Sequence, residues 1–152
     1  MTEGAIRASI VRAKAEVVEQ MLTAISTLPL STLEDFTADP HRVAAGESYL
    51  RRALEALLDL GRHLLAKGFA RAAVEYKEIP ALLVEREVLP PPLGEQFRKM
   101  AGYRNRLVHF YDEVTPPELH RILTEHCDDV RTVLDALLRW VERHPERVDP
   151  SL

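Results

Sequence analysis

The sequence predicts an all-α fold, an antiparallel four-helix bundle with one short extra helix. Three observations carry that expectation. Long stretches are rich in Ala, Leu, Glu and Arg, which are good helix formers. Apolar residues recur at steps of three and four, the period of a helix with one buried face. Runs of β-branched residues with alternating polarity are absent, so no sheet is expected. The chain has 152 residues, 46% hydrophobic and 29% charged, with six glycines. That size suits one domain around one core, expected over residues 1–145, with 146–152 as a frayed tail.

The first helix is expected from about Thr2 to about Thr27, with Ile6, Ile10, Ala13, Val17, Met21 and Ile25 as its apolar stripe. Leu28-Pro29-Leu30-Ser31 ends it, and a loop follows through Phe36. Asp39-Pro40 opens the second helix, with Asp39 as N-cap and Pro40 at the first helical position. Leu50, Leu54, Leu57, Leu58, Leu60, Leu64 and Leu65 give it a wide apolar face, and Lys67-Gly68 reads as its end. Glu78-Ile79-Pro80 begins a short helix that stops near Val88, before the rigid Leu89-Pro90-Pro91-Pro92. The next helix runs from about Leu93 to about Val108. Thr115 then caps one long final helix with a stripe from Leu119 to Val141, stopped by His144-Pro145.

Composition narrows the function. The single cysteine, Cys127, permits no internal disulfide and no cysteine-based metal cluster, which fits a reducing compartment. No apolar run approaches membrane-spanning length and no leader pattern opens the chain, so a cytoplasmic protein without membrane contact is expected. The histidines form no convergent ligand set; His120 and His126 are six apart, a poor helical spacing for one ion, so neither metal nor cofactor is expected. A net charge of −4 argues against general nucleic-acid coating. A local patch matters more than the total, and residues 94–111 carry Arg98, Lys99, Arg104 and Arg106 against Glu95 alone, 4 − 1 = +3.

That stretch holds the chemistry. Leu93, Phe97, Met100, Ala101, Leu107 and Val108 form its apolar stripe, and Arg104 falls inside it. A cation there is costly unless partnered, so it is either a structural ion pair or a positioned phosphate ligand. His109 lies five residues on, about 140° around a regular helix, and shares a face with Arg104 only if the helix ends or bends between them. Asn105, four before His109, is placed to orient an imidazole. A lone histidine there is otherwise a capping residue. Arg98 and Arg106 flank this run as candidate contacts to a nucleic-acid backbone, whereas Arg51, Arg52 and Arg62 read as solvated or as the side of such a groove, and Tyr76 and Tyr103 as packing or capping residues.

The run Arg104-Asn105-Arg106-Leu107-Val108-His109-Phe110-Tyr111 resembles the Arg-x4-His-x-Tyr motif of the HepT (DUF86) family of HEPN domains. Residues 49–63, with their leucine-rich face, are similar to that family's second helix, and Glu113-Val114 with Pro117-Glu118-Leu119 to its exit from the motif. The resemblance implies a homodimeric helical bundle with the motifs of both subunits at a shared cleft. It implies a metal-independent ribonuclease toxin of a type VII-like pair, with Arg104 and His109 catalytic. It further implies a minimal nucleotidyltransferase antitoxin as partner, which silences the toxin by adding AMP to Tyr111. A noncatalytic partner of such a nucleotidyltransferase, on the same fold, is the alternative.

Overall fold

The computed structural model describes residues 5–109 and 113–151. Its elements, in chain order, are β1 (Ile6–Arg7), α1 (Ala8–Ser26), α2 (Leu33–Thr37), α3 (Pro40–Phe69), a 3-10 turn (Tyr76–Glu78), α4 (Ile79–Glu85), α5 (Pro91–Val108), α6 (Pro116–Glu125), α7 (Cys127–Arg143), a second 3-10 turn (Pro145–Arg147) and β2 (Val148–Asp149). The fold is all-α, as its sequence predicts. The thirty-residue α3 is the axis, touching α1, α2, α4, α5, α6, α7 and β1. Its seven predicted core leucines are all buried, and around them closes a core that runs from Ile6 to Trp140. Asp39 caps α3 as expected, its carboxylate accepting the His41 N–H at 2.9 Å.

Several local expectations are corrected. The stripe of α1 is turned from the predicted one: Val11, Val18, Met21, Leu22 and Ile25 are buried, while Ala13 is exposed. Ile6 is fully buried, but from a strand rather than a helix. β1 pairs in parallel with β2, Ile6 opposite Val148 and Arg7 opposite Asp149, so there is a minimal sheet where none was expected. The segment after residue 145 is therefore fastened rather than frayed. Arg147 donates to the Gly68 carbonyl and stacks on Phe69, 4.5 Å from its centroid.

Gly68 does not end α3. The helix continues to Phe69, and Ala70 takes the left-handed conformation at φ 53°. Gly68 serves close packing instead, since a Cβ there would meet Ile6 Cδ1 at 3.0 Å. The segment before α3 is not all loop: Thr32 caps the short α2, accepting the Asp35 N–H at 3.0 Å, and sinks Phe36 into the core. The final helix is two. It breaks at His126, whose Nδ1 lies 3.1 Å from Asp129 Oδ2, and Asp128 and Asp129 occupy the first turn of α7, where the helix dipole favours acids.

Candidate active site

α5 is regular to Val108, and His109 leaves it with extended backbone, φ −108° and ψ 119°. That exit answers the rotation problem of a continuous helix. Arg104, Asn105 and His109 line one cleft of about 530 Å³, together with Arg62, Val74, Glu75, Tyr76 and Lys77. His109 also borders a second cleft, with Glu47, Arg106, Glu113 and Val114. Tyr111 lies outside the described residues.

The cost of Arg104 in an apolar stripe is met from α3. Its Nε and Nη2 donate to Glu55 Oε2 at 3.1 and 2.8 Å, and Nη1 donates to Asn105 Oδ1 at 3.3 Å. Asn105, expected to serve the imidazole, thus touches the guanidinium. The other oxygen of Glu55 accepts from Arg51 Nη1 at 2.8 Å. Glu55 is missing from the sequence-level site because its partner is 49 residues away. A usable signal was present: Arg51, Glu55, Asp59 and Arg62 repeat at four, four and three along a leucine-rich helix, which puts a polar row on one face.

Tyr76 completes this wall. Its hydroxyl donates to Asp59 Oδ1 at 2.7 Å, and its ring centroid lies 4.6 Å from the Arg104 guanidinium carbon and 4.7 Å from that of Arg62. Burial first, then the Asp59 carboxylate, pushes the phenol up to about 12, so it stays protonated and donating. An arginine has five N–H donors. Three of those on Arg104 are engaged by Glu55 and Asn105, which leaves one N–H on each terminal nitrogen of a residue that lines the cleft.

The flanking arginines differ. Arg98 is exposed and bonds Glu95 one turn back, at 2.9 and 2.5 Å. Arg106 closes on both oxygens of Glu118, at 2.6 and 2.7 Å, and reaches the Glu113 carbonyl at 3.3 Å, tying α5 to the start of α6. The Arg106 guanidinium holds the Glu118 carboxyl below the usual glutamate range. Other histidines have local partners: His120 meets the Leu30 carbonyl at 2.9 Å, and His144 stacks on Trp140 with centroids 4.4 Å apart. Among the described residues, no group of three or more His, Cys, Asp or Glu is placed to hold a metal ion, and no helix is long and apolar enough to cross a membrane.

The family model described as ribonuclease HepT-like matches residues 18–137, a span that contains α3, the Tyr76 wall and the whole motif. The chain belongs to the ribonuclease HepT-like family. It is similar to the tRNA nuclease HepT of Aphanizomenon flos-aquae, 26% identical over 112 residues that cover 72% of this chain and 75% of that protein. It is also similar to the mRNA nuclease HepT of Shewanella oneidensis, 25% identical over 88 residues, 58% of this chain and 66% of that protein. Its fold matches a tri-AMPylated Shewanella oneidensis HEPN toxin in complex with an MNT antitoxin, TM-score 0.78 at 21% identity, covering 86% of this chain and 97% of that one. Within the HepT-like match, Arg104 and His109 share a cleft because the helix stops between them, and Glu55 and Tyr76 hold the arginine's inner edge and face.

Proposed function

We propose that this chain is a metal-independent endoribonuclease toxin with Arg104 and His109 as its catalytic pair. The observation that carries the reading is the exit of His109 from α5, which brings it to the same cleft as Arg104. RNA supplies its own nucleophile, the 2′-hydroxyl. As that oxygen attacks phosphorus, the His109 imidazole takes its proton, or protonates the departing 5′-oxygen. The guanidinium binds the phosphate oxygens and stabilises the charge that builds on them. The products are a 2′,3′-cyclic phosphate and a 5′-hydroxyl. One His109 performs one of the two proton transfers, so a homodimer with α5 at its interface supplies the second. Asn105 supports the pair through its contact with Arg104. Arg98, exposed and paired only along its own helix, suits a rim contact to the RNA backbone. Arg106 contacts RNA at the cost of its Glu118 pair, and its larger role in this reading is to hold the helix end.

The kinship with nucleases acting on tRNA and mRNA supports the substrate class. Purified protein with total RNA, wild type against His109→Ala, tests it. Cleavage that survives EDTA, leaves cyclic phosphate ends and disappears in the variant is expected. Equal cleavage by the variant removes His109 from the chemistry, and no cleavage by either leaves the noncatalytic nucleotidyltransferase partner as the function. Light scattering that finds a monomer at micromolar concentration removes the dimer.

The likeness to an AMPylated toxin held by its antitoxin supports a cognate minimal nucleotidyltransferase as partner; in this reading the modified residue is Tyr111. Transfer of AMP from ATP to the phenol, with release of pyrophosphate, puts a phosphate two residues beyond His109. There it competes with RNA for Arg104 and repels the RNA backbone. Co-expression followed by peptide mapping checks this. Neutralisation with no added mass on Tyr111, or equal silencing of Tyr111→Phe, means that the antitoxin acts by binding.

A further inference from the structure

The contact between Arg104 and Glu55 leaves the guanidinium a degree of freedom. Two parallel N–H bonds to two carboxylate oxygens fix a guanidinium in its plane. Here both N–H groups converge on one oxygen, Oε2, at 3.1 and 2.8 Å, because Oε1 is occupied by Arg51. A single acceptor is a pivot, and the terminal nitrogens can swing about it. The Asn105 bond, at 3.3 Å, is long and resists weakly.

The missing constraint comes from a residue that sequence reasoning set aside as packing. We propose that Tyr76 is a positioning residue for Arg104, its ring the platform that stops the guanidinium from pivoting on Glu55. This rests on the reading of Arg104 as the phosphate ligand. The ring centroid is 4.6 Å from the guanidinium carbon, within the range of cation–π attraction, and the pair lines the cleft together. The platform is itself braced on three sides. The phenol donates to Asp59 one turn along α3 from Glu55, so edge and face of Arg104 are held from the same polar row. Arg62 Nη2 donates to the Val74 carbonyl at 3.1 Å, with its guanidinium carbon 4.7 Å from the same ring. The Glu78 carboxylate accepts the N–H groups of Val74 and Glu75 at 3.1 and 2.9 Å, closing the capping box that starts the 3-10 turn. Phenol, ring and turn together make a rigid wall out of a loop.

The test compares Tyr76→Leu, which removes the ring, with Tyr76→Phe, which keeps it and drops only the tie to Asp59, using kcat and KM on one defined RNA. Misplacing a group that acts in the transition state lowers kcat more than it raises KM, so Tyr76→Leu should lose about ten- to a hundredfold in kcat. Tyr76→Phe should stay within about threefold, since the ring remains. Tyr76→Leu should add nothing in an Arg104→Ala background, because its effect passes through that side chain. Wild-type kcat in Tyr76→Leu while Arg104→Ala is inactive overturns the proposal, as does a Phe variant that falls as far as Leu. An Arg104→Ala variant that cleaves like wild type overturns the reading of Arg104 instead. A measurement free of activity is the arginine side-chain spectrum of the 15N-labelled full chain. The Arg104 Nε–H proton should be shifted upfield by the ring current of Tyr76 and keep that shift in Tyr76→Phe. An unshifted signal in wild type overturns the platform.

Discussion

Arg104 and Arg106 stand two residues apart at the end of α5, and each meets a carboxylate from another helix, yet the two guanidiniums are left with different work to do. Arg106 spends both terminal nitrogens on both oxygens of Glu118 and adds a backbone carbonyl. Arg104 is gripped by its inner edge on one oxygen of Glu55, with Tyr76 across its face and one N–H left on each terminal nitrogen beside the cleft. Their side chains are similarly exposed, 23% and 29%, so burial does not separate them. What separates them is which edge the carboxylate takes. An arginine whose terminal edge is closed holds two helices together. One held by its inner edge presents a pre-oriented fork to a ligand. The same residue type in one turn of helix thus closes on a carboxylate on one side and, in the proposed reading, serves chemistry on the other.

The sharpest way to break that comparison is to remove the chemistry and look for a structural cost. Arg104→Ala and His109→Ala should each lower kcat by about a hundred- to ten-thousandfold, the usual range for a phosphate-stabilising group or a general acid–base. Melting temperatures, measured beside the RNA cleavage assay, should move little for His109→Ala, which is exposed and lies past the helix end. A collapse in stability that accounts for the lost activity would return both residues to a structural role.

Glu55 comes next. Glu55→Ala leaves Arg104 its cleft but not its pivot, and should cost about tenfold or more in kcat. Glu55→Gln keeps an acceptor without the charge and should fall between. The residue shows where sequence reading stops. The helices were legible because apolar spacing reports a local period: every core leucine predicted on α3 is buried. The catalytic candidates were legible because they sit in one short run. Glu55 and Tyr76 were not, since their roles exist only once α3, α5 and the 76–78 turn meet, across separations of 49 and 28 residues from Arg104. The local errors have the same origin. The period in α1 fixed a helix but not which neighbouring row faced inward, and the β1–β2 clasp joins the two ends of the chain.

On the Arg106 side the signs reverse. Glu118→Ala should leave kcat of the folded protein unchanged and reduce stability by about 2 kcal/mol, the scale of charge-assisted hydrogen bonds in a partly buried pair. For a chain of this length that is a fall in Tm of about 4–8 °C by calorimetry. The pair also has a pH signature. The Glu118 carboxyl is held below its ordinary value of 4.5, first by its hydrogen bonds to Arg106. A depressed acid contributes stability above its unfolded pKa and loses it as pH falls through the folded one. The Glu118→Ala deficit should therefore be full at pH 6 and shrink below pH 4.5.

The smallest expected effect lies away from both arginines and separates their contribution from the rest of the acid response. His63 on α3 accepts the Arg7 N–H through Nε2 at 3.0 Å, which requires the neutral ring. Burial first, then Lys67 and Arg7, lowers its pKa from 6.5. A histidine depressed in the folded state binds its proton more readily when unfolded, so its contribution is complete above 6.5 and is lost as pH falls through the folded pKa. Its loss therefore begins at a higher pH than that of Glu118, and it loosens the β1–β2 clasp rather than α5. The hydrogen bond at stake contributes about 1 kcal/mol. His63→Gln offers the same N–H a side-chain oxygen that does not titrate. Across pH 7.5 to 5.5 its Tm should fall less than that of wild type, with the difference appearing as the pH drops below 6.5. Hydrogen exchange should place the acid-induced opening at residues 6 and 7 and at their partners 148 and 149, with Arg104 and its cleft still protected. Parallel pH profiles for the two proteins would show that His63 does not carry this step, and opening that begins at α5 would move it to the Arg106–Glu118 lock.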